Sequence, residues 1–575
     1  MAKIAEHFRK YRFYYLASLI ITCLVLLPYF DSVIYRGHDL QFHLSRIDGN
    51  FTCFKDHQFP IAIYPEKNFG YGYAAPLFYS DLFLIIPSAL VHLFHIPLVV
   101  MFKITVFIFC YLTNLGMMLV SDSFFHRKDA SVLSAFLLTS CNYYMTDVYI
   151  RGALGEIIAF SLLPPLAYIG YRFLYLEEDH WLALGIIFAL IAHCHLISVV
   201  LAAAVFGILM IMNARTFMRN RKMIISFLKA FAIGLGMTIG YFLPLLEQYV
   251  SQDLKVHHID PTMLETYRVP IQMIWQDFFS EFSLTWATEE GINVADKAKA
   301  FGTLLTVLPL GYLFSEKKKP LTHSMILWGI LVLASSDVIP LYKLTFLNFL
   351  QYPSRLYMPA SVFAVILIAY IYVHLNRNAG KMLAAVCVLF TAFNLSFPFT
   401  TLNDKEHVMD IPNNASAWDL FGDRLWAFDH WLFIEWNWEE VAYGEYLPFA
   451  YGYNYHETGT HIDLLDYTHT EFPYERTGTT SVFTADLNED TWLLVPVTWY
   501  KGYRAWETDD AGNIIAPVYI SQHEYSGRIQ LNVPAGHHNY LIRYTGTKIQ
   551  KGSAVLSILS FLYVLYLLAI RKHAL

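Results

Sequence analysis

Charge is what this sequence has least of. Only 15% of its 575 residues are Asp, Glu, Lys or Arg, while 56% are hydrophobic and 17% aromatic. A soluble domain usually carries roughly 25% charge, so this chain cannot clothe itself for water and lipid is its main solvent. Cysteine is also scarce. Of six, Cys23, Cys110, Cys141, Cys194 and Cys387 lie in apolar runs and only Cys53 in a long loop, which excludes a disulfide framework and a zinc-ligand spacing. No polybasic or aromatic-basic stretch points to nucleic acid. A basic start (Lys3, Arg9, Lys10, Arg12) precedes the first apolar run, but no small-residue cleavage site follows it, so the run reads as a retained anchor. No internal repeat is detectable.

What is present is apolar length. Runs of about 18 or more residues can cross a hydrocarbon core of roughly 30 Å. One begins near Tyr14, and others lie near 99–121, 156–175, 223–245, 357–374 and 551–570. Shorter stretches near 130–147, 181–196, 197–213, 299–315, 321–336 and 381–398 read as packed bundle helices, for about twelve crossings in all. Short basic connections stay cytoplasmic: His126-Arg127-Lys128, Arg215 to Lys222, Lys317-Lys318-Lys319, Arg377 to Lys381 and Arg571-Lys572 therefore read as inside, with the N-terminus. Outside fall 31–97, the neighbourhood of Arg151, 246–298, 337–356 and the long segment 399–550. The apolar segment 77–97 would throw the His126 loop outside if it crossed, and so reads as a juxtamembrane or re-entrant helix.

Residues 399–550 change character, with 22 acidic against 8 basic side chains. Alternating stretches such as Trp492 to Val497, Arg528 to Val533 and Tyr540 to Tyr544, separated by Asp510-Ala511-Gly512-Asn513 and Pro534-Ala535-Gly536, predict short strands and turns. The expected architecture is an all-α polytopic membrane bundle with a C-terminal extracytoplasmic β-rich domain and one last transmembrane helix. Its divisions are a module over 1–398 with first outer loop 31–97, a β-sandwich-like domain over 399–550, and a final span with a short cytoplasmic tail over 551–575. Eight of twelve tryptophans fall in the outer domain, five of them between Trp418 and Trp438. Tryptophan stacks on sugar rings, anchors chains at lipid headgroups and fills cores, and core packing is the default for Trp492 and Trp499. The stretch Trp418 to Tyr443 reads as helical or membrane-lying.

Polar residues concentrate in the outer loops. Just beyond the first span stands Arg36-Gly37-His38-Asp39-Leu40-Gln41-Phe42-His43-Leu44-Ser45-Arg46-Ile47-Asp48. On a helix, Asp39, His43 and Arg46 form one polar stripe and Leu40, Leu44 and Ile47 an apolar one. A helix cap would account for Asp39 alone, but not for His and Arg in register behind it. This segment, the run Tyr71-Gly72-Tyr73-Ala74-Ala75-Pro76-Leu77-Phe78-Tyr79 and Arg151-Gly152-Ala153-Leu154-Gly155-Glu156 together resemble the bacterial membrane proteins labelled "6-pyruvoyl-tetrahydropterin synthase-related". That label is a misnomer, since nothing in the sequence suggests pterin chemistry. The resemblance covers most of the chain. These proteins are similar in plan to GT-C glycosyltransferases and to the membrane proteins that glycosylate lipoteichoic acid.

The resemblance implies a sugar transfer from a polyprenyl-phosphate-linked donor to a cell-envelope acceptor, on the outer face of a bacterial cytoplasmic membrane. In GT-C enzymes an acidic residue of the first outer loop acts as base, and by position that residue is Asp39. An alcohol is a poor nucleophile at neutral pH, and a placed carboxylate accepts its proton. One base suffices for a direct inverting displacement. His43 and Arg46 are expected to orient Asp39 or to hold the acceptor, with Arg46 favouring the ionised form of Asp39. The departing phosphate calls for a fixed cation, and arginine is shaped for bidentate phosphate contact. Related membrane glycosyltransferases carry a Gln-aromatic-Pro-x-Arg segment, matched here by Gln351, Tyr352 and Arg355 before an outer-to-inner span. An interfacial arginine snorkelling beside an aromatic belt would look the same; Lys343 and Arg268 are weaker alternatives.

His38, Tyr71, Tyr73, Arg151 and Glu156 are expected to line the pocket, with Asp39 and Arg355 facing one cavity about 10 Å apart. A structural pairing of Arg151 with Asp147 or Glu156 is as plausible as substrate contact. His193 and His195, two residues apart, do not share a helix face, so a polar cavity lining fits them better than a metal site. No Asp-x-Asp pair stands in the first outer loop, so neither metal nor cofactor is expected. The partners implied are the lipid-linked donor, the envelope acceptor and membrane lipids, without nucleic acid. Two other classes compete: a transporter or flippase of lipid-linked saccharides, and a non-catalytic envelope scaffold.

Overall fold

The computed structural model describes residues 2–35, 37–258, 262–277, 287–288, 291–292, 300–397, 410–414, 445–449 and 459–573. Arg36 and the aromatic-rich stretch Trp418 to Tyr443 lie outside the described residues. The chain divides into two compact units, one of residues 1–40, 99–234 and 260–415 and the other of 41–98, 235–259 and 416–575.

The helices, in chain order, are α1 (Ala2–Val25), α2 (Leu40–Lys55), α3 (Ile85–Phe94), α4 (Leu98–Phe125), α5 (Lys128–Thr139), α6 (Leu154–Tyr175), α7 (Trp181–Cys194), α8 (Leu196–Met212), α9 (Arg221–Ser251), α10 (Lys319–Ser335), α11 (Tyr357–His374), α12 (Arg377–Phe397) and α13 (Lys548–His573). Six of them, α4, α6, α9, α11 with its preceding turn, α12 and α13, are long and apolar enough to cross a membrane. Apart from α1, with 24 residues, the other expected crossings are shorter. α7 has 14 residues and α8 has 17, and at 1.5 Å per residue they reach about 21 and 26 Å.

In the first unit α11 is the centre. It carries no charge between Tyr357 and Val373 and is apolar all round, the pattern of a helix enclosed by other helices. Accordingly 83% of its span window is buried, and it packs on α10 and α5. Helices α6, α7 and α8 pack in sequence beside it.

The second unit holds the rest of the segment read from sequence as the first outer loop, the C-terminal strands and α13. Its α3 has ten residues, about 15 Å or half a hydrocarbon core, which is why segment 77–97 cannot cross as a straight helix. Ten strands are described after residue 398. After β1 (Val33–Tyr35) of the first unit, which pairs with β2 (Asp410–Pro412), come β3 (Asp463–Leu464), β4 (Tyr474–Thr477), β5 (Thr480–Leu487), β6 (Thr491–Thr498), β7 (Tyr503–Thr508), β8 (Ile514–Val518), β9 (Ser521–Gln522), β10 (Arg528–Val533) and β11 (Gly536–Tyr544). In the second unit β3 to β11 form two antiparallel sheets, ordered β8-β7-β11-β5-β4 and β9-β10-β6-β3. Alternation on β5 buries Phe483 and Ala485, while β6 is buried on both faces from Leu493 to Thr498. Arg528 is buried in the smaller sheet, bonded to Asp463 Oδ2 at 2.5 Å and to the Val495 carbonyl at 3.1 Å.

The first outer loop is tied to these strands. Thr498 N–H donates to the Tyr71 carbonyl at 2.8 Å, and the Arg528 guanidinium lies 5.3 Å from the Tyr71 ring centre. Tyr73 belongs to a buried cluster with Phe42, Cys53, Tyr64, Ala75 and Leu447, and stacks on Tyr446. Both tyrosines, expected as pocket walls, are thus packing residues of the second unit. Their rings are large and apolar, and the loop that carries them is fastened by its backbone to the strands.

Candidate functional site

Two loops of the first unit interlock through their backbones. Asp39 N–H donates to the Arg151 carbonyl at 2.6 Å and His38 N–H to that of Ile150 at 3.3 Å. Such an approach requires glycine. A Cβ on Gly37 would stand 2.7 Å from the Arg151 carbonyl carbon, and Gly152, at φ +66, faces Leu40 just as closely, with 3.0 Å left for a Cβ. Asp39 is held in this clasp one residue before α2 begins, so the expected Asp39-His43-Arg46 helical stripe starts too late to include it. Beyond the clasp, a widened six-residue turn, Thr146–Arg151, spaces Asp147 and Arg151 so that both reach inward. Such turns are frequent at functional sites.

A continuous ionic ladder follows. Arg151 Nη2 meets Asp39 Oδ2 at 2.9 Å, while its Nη1 meets Asp147 Oδ1 at 2.9 Å and Glu156 Oε1 at 2.8 Å. Glu156 Oε1 also receives Arg355 Nε at 3.0 Å, its Oε2 accepts from the Tyr143 hydroxyl at 2.6 Å, and His195 Nε2 stands 4.0 Å away. Arg355 Nη1 donates to the Leu350 carbonyl at 2.6 Å and to Gln351 Oε1 at 2.7 Å. Gln351 adopts φ +59, a strained conformation for a residue with a side chain, and it sits where Arg355 needs an acceptor. The Tyr352 ring serves both cations, 5.6 Å from the Arg151 guanidinium and 5.0 Å from that of Arg355. Burial pushes the Tyr352 phenol up to about 12, so it presents a neutral ring.

Exposure is graded along this ladder. The side chains of Asp147, Glu156, Arg355 and Arg151 are 0%, 2%, 5% and 9% exposed, whereas Asp39 is 35% exposed. Three carboxyl groups face two guanidinium groups, and the one that reaches solvent is Asp39. Asp147 Oδ2 has no hydrogen-bond partner.

Several expectations are corrected by this arrangement. The cation beside Asp39 is Arg151. Arg46 instead pairs with Asp81, through Nη2 at 2.6 Å and Nε at 3.0 Å, lies over the Tyr79 ring at 4.1 Å, and contacts His43 Nδ1 at 3.3 Å. Arg46 is buried, and a buried guanidinium takes a carboxylate with matching burial; Asp81 is that group, further bonded by the Tyr64 hydroxyl. His43 and Arg46 therefore brace the first outer loop within the second unit. In place of an open gap, Asp39 and Arg355 are joined through Arg151 and Glu156. Gln351 and Tyr352 do accompany Arg355, and His38 lies in the clasp with its side chain exposed. His195 caps α8, its Nδ1 accepting from Ser198 N–H at 3.3 Å. Tyr143 was not anticipated: it stands in an apolar run, and only its contact with Glu156 distinguishes it from a core aromatic. Asp81 gave a signal only as an acidic residue amid apolar ones. Among the described residues, no group of three or more His, Cys, Asp or Glu could hold a metal.

Apolar spans around a buried ionic ladder, together with a strand-rich C-terminal region, define a polytopic membrane protein. The chain belongs to the family described as the 6-pyruvoyl-tetrahydropterin synthase related domain, membrane proteins whose profile matches residues 73–402, more than half of its length. No curated protein matches it. Among solved structures it is similar to the arabinofuranosyltransferase AftD from Mycobacteria, determined by cryo-EM, at 13% identity and a TM-score of 0.45. That match covers 69% of this chain and 27% of AftD, so the chain spans about a quarter of that protein.

Proposed function

We propose that this protein is a GT-C-type glycosyltransferase of the bacterial cytoplasmic membrane. It takes a sugar from a polyprenyl-phosphate donor and passes it to an extracytoplasmic acceptor: teichoic acid, polysaccharide, lipid or protein. The observation that carries this reading is the position of Asp39, the part-exposed carboxylate that ends a buried ladder of arginines and carboxylates. In the proposed reaction Asp39 accepts the proton of the acceptor hydroxyl, whose oxygen forms the new bond to the anomeric carbon. The bond from that carbon to the phosphate oxygen breaks, and its electron pair leaves with the polyprenyl phosphate. Arg151, already at Asp39, is the first cation that phosphate meets, and Arg355 is the second. Phosphate drawn to Arg151 loosens its hold on Asp39 and frees the carboxylate as a base. This ordering replaces the open gap between Asp39 and Arg355.

The test is a cell expressing Asp39→Asn at the level of the unaltered chain, with its envelope glycans read by mass spectrometry. Loss of one glycan with accumulation of its lipid-linked precursor supports transfer. Unchanged glycans sink it and put the transport or scaffold reading ahead. Arg355→Ala is expected to give the same loss as Asp39→Asn and Arg355→Lys a partial one, since lysine offers a point charge without the bidentate fork.

A further inference from the structure

A cavity lies in the first unit, away from the Asp39 clasp. It measures about 460 Å³ and is lined by residues of α4, α6, α8, α10 and α11, within the roughly 300–1,000 Å³ of ligand sites. Its wall is mostly aliphatic and aromatic. Along α6 its lining runs from Leu163 to Tyr175, twelve residues or about 18 Å, a length that accommodates an extended hydrocarbon chain. At one end stand Phe125, Tyr175, Lys318 and His374, side chains at the termini of four different helices or turns. These termini adjoin the basic connections that the positive-inside pattern assigns to the cytoplasm.

Charge at that mouth is unevenly available. Arg127 is paired with Asp129, and Arg172 with Glu178. Lys317 Nζ is turned onto the Tyr312 and Leu313 carbonyls at 2.6 and 2.8 Å. Lys318 is exposed, with its ammonium 5.5 Å from the Tyr370 ring centre, and it is the lysine that lines the cavity. An apolar cavity ending in a cation between helix ends matches a lipid with a negative headgroup.

We propose that this cavity holds one acyl chain of an anionic phospholipid from the cytoplasmic leaflet, with its phosphate at Lys318. The site is separate from the Asp39 ladder and does not depend on the transfer reading. An acyl chain in the cavity supplies the van der Waals contacts that its apolar wall otherwise lacks, and the headgroup charge selects the lipid class.

The experiment uses the purified full-length chain in detergent, with thermal unfolding followed as phosphatidylglycerol, phosphatidylcholine or undecaprenyl phosphate is added. Phosphatidylglycerol is expected to raise Tm and phosphatidylcholine is not. Lys318→Ala, a surface change, should need about fivefold more phosphatidylglycerol for half the shift, and Ala167→Trp, which fills the cavity, should abolish the shift. Equal stabilisation by phosphatidylcholine, an undiminished response of Lys318→Ala, or stronger binding of undecaprenyl phosphate would each overturn the proposal. Should Ala167→Trp fail to fold, the Lys318→Ala titration decides alone.

Discussion

Glu156 holds two guanidinium groups at once, and that makes it the residue on which the ladder depends. Removing one partner of a buried ion pair costs about 3–5 kcal/mol because the other charge stays buried. Glu156→Ala should therefore lower the unfolding temperature sharply in detergent, whatever the catalytic role of its neighbours. Asp147→Asn is expected to behave oppositely. It replaces a wholly buried carboxyl group, one oxygen of which has no hydrogen-bond partner, by a neutral amide, so Tm should hold or rise; a fall as large as that of Glu156→Ala would mean that Asp147 is an indispensable counterion. At this scale the sequence singled out Asp39, Arg151, Glu156 and Arg355, and the structure joins these four in one ladder. It offered Asp147 or Glu156 as partners of Arg151, and both are in contact with it, but it missed the partners of Arg46 and Arg355, because the partner of a buried arginine is decided by which carboxylate shares its burial. Arg46 lies seven positions from Asp39 in sequence, yet its carboxylate is Asp81, 35 positions on.

Elements are fitted to one another here by glycine. The clasp between the Asp39 loop and the turn before α6 leaves no room for a Cβ at Gly37, so Gly37→Ala should separate the two backbones and release Asp39 from Arg151. The expected result is loss of activity with a smaller loss of Tm than Glu156→Ala produces. In the second unit, α13 is held to α9 by small residues. Ser557 Oγ donates to the Gly236 carbonyl at 3.0 Å and accepts from Gly240 N–H at 2.8 Å, and a Cβ on Gly240 would stand 3.2 Å from the Ala554 Cα. Small residues let helices approach closely in lipid, where no hydrophobic force drives them together. Gly240→Leu is expected to free α13, read as protease cleavage near Thr545 that the unaltered chain resists. Helix existence was legible from apolar length, and β-strand stretches from alternation. The start of α2 was not, because a backbone bond to the Arg151 carbonyl, distant in sequence, keeps Asp39 out of the helix.

Across the whole molecule, low charge and recurring apolar runs were enough to read a membrane bundle with a polar, strand-rich C-terminal region. The division into two compact units was not legible, since each gathers segments far apart in sequence. The basic connections predict a sidedness that can be measured. With single cysteines introduced at Lys318 and Asp509, an impermeant thiol reagent applied from outside should label only position 509; the native cysteines are buried apart from Cys23, which is half-buried. Labelling at 318 would invert the topology and with it the placement of Asp39 outside. The most direct test of the central claim is made on purified protein in lipid vesicles supplied with radiolabelled polyprenyl-linked sugar and envelope acceptor, counting polyprenyl phosphate released and sugar transferred. The account predicts one released per sugar transferred, with a fall of about 10²–10⁴-fold in both for Asp39→Asn. Transfer at an undiminished rate by Asp39→Asn would contradict it.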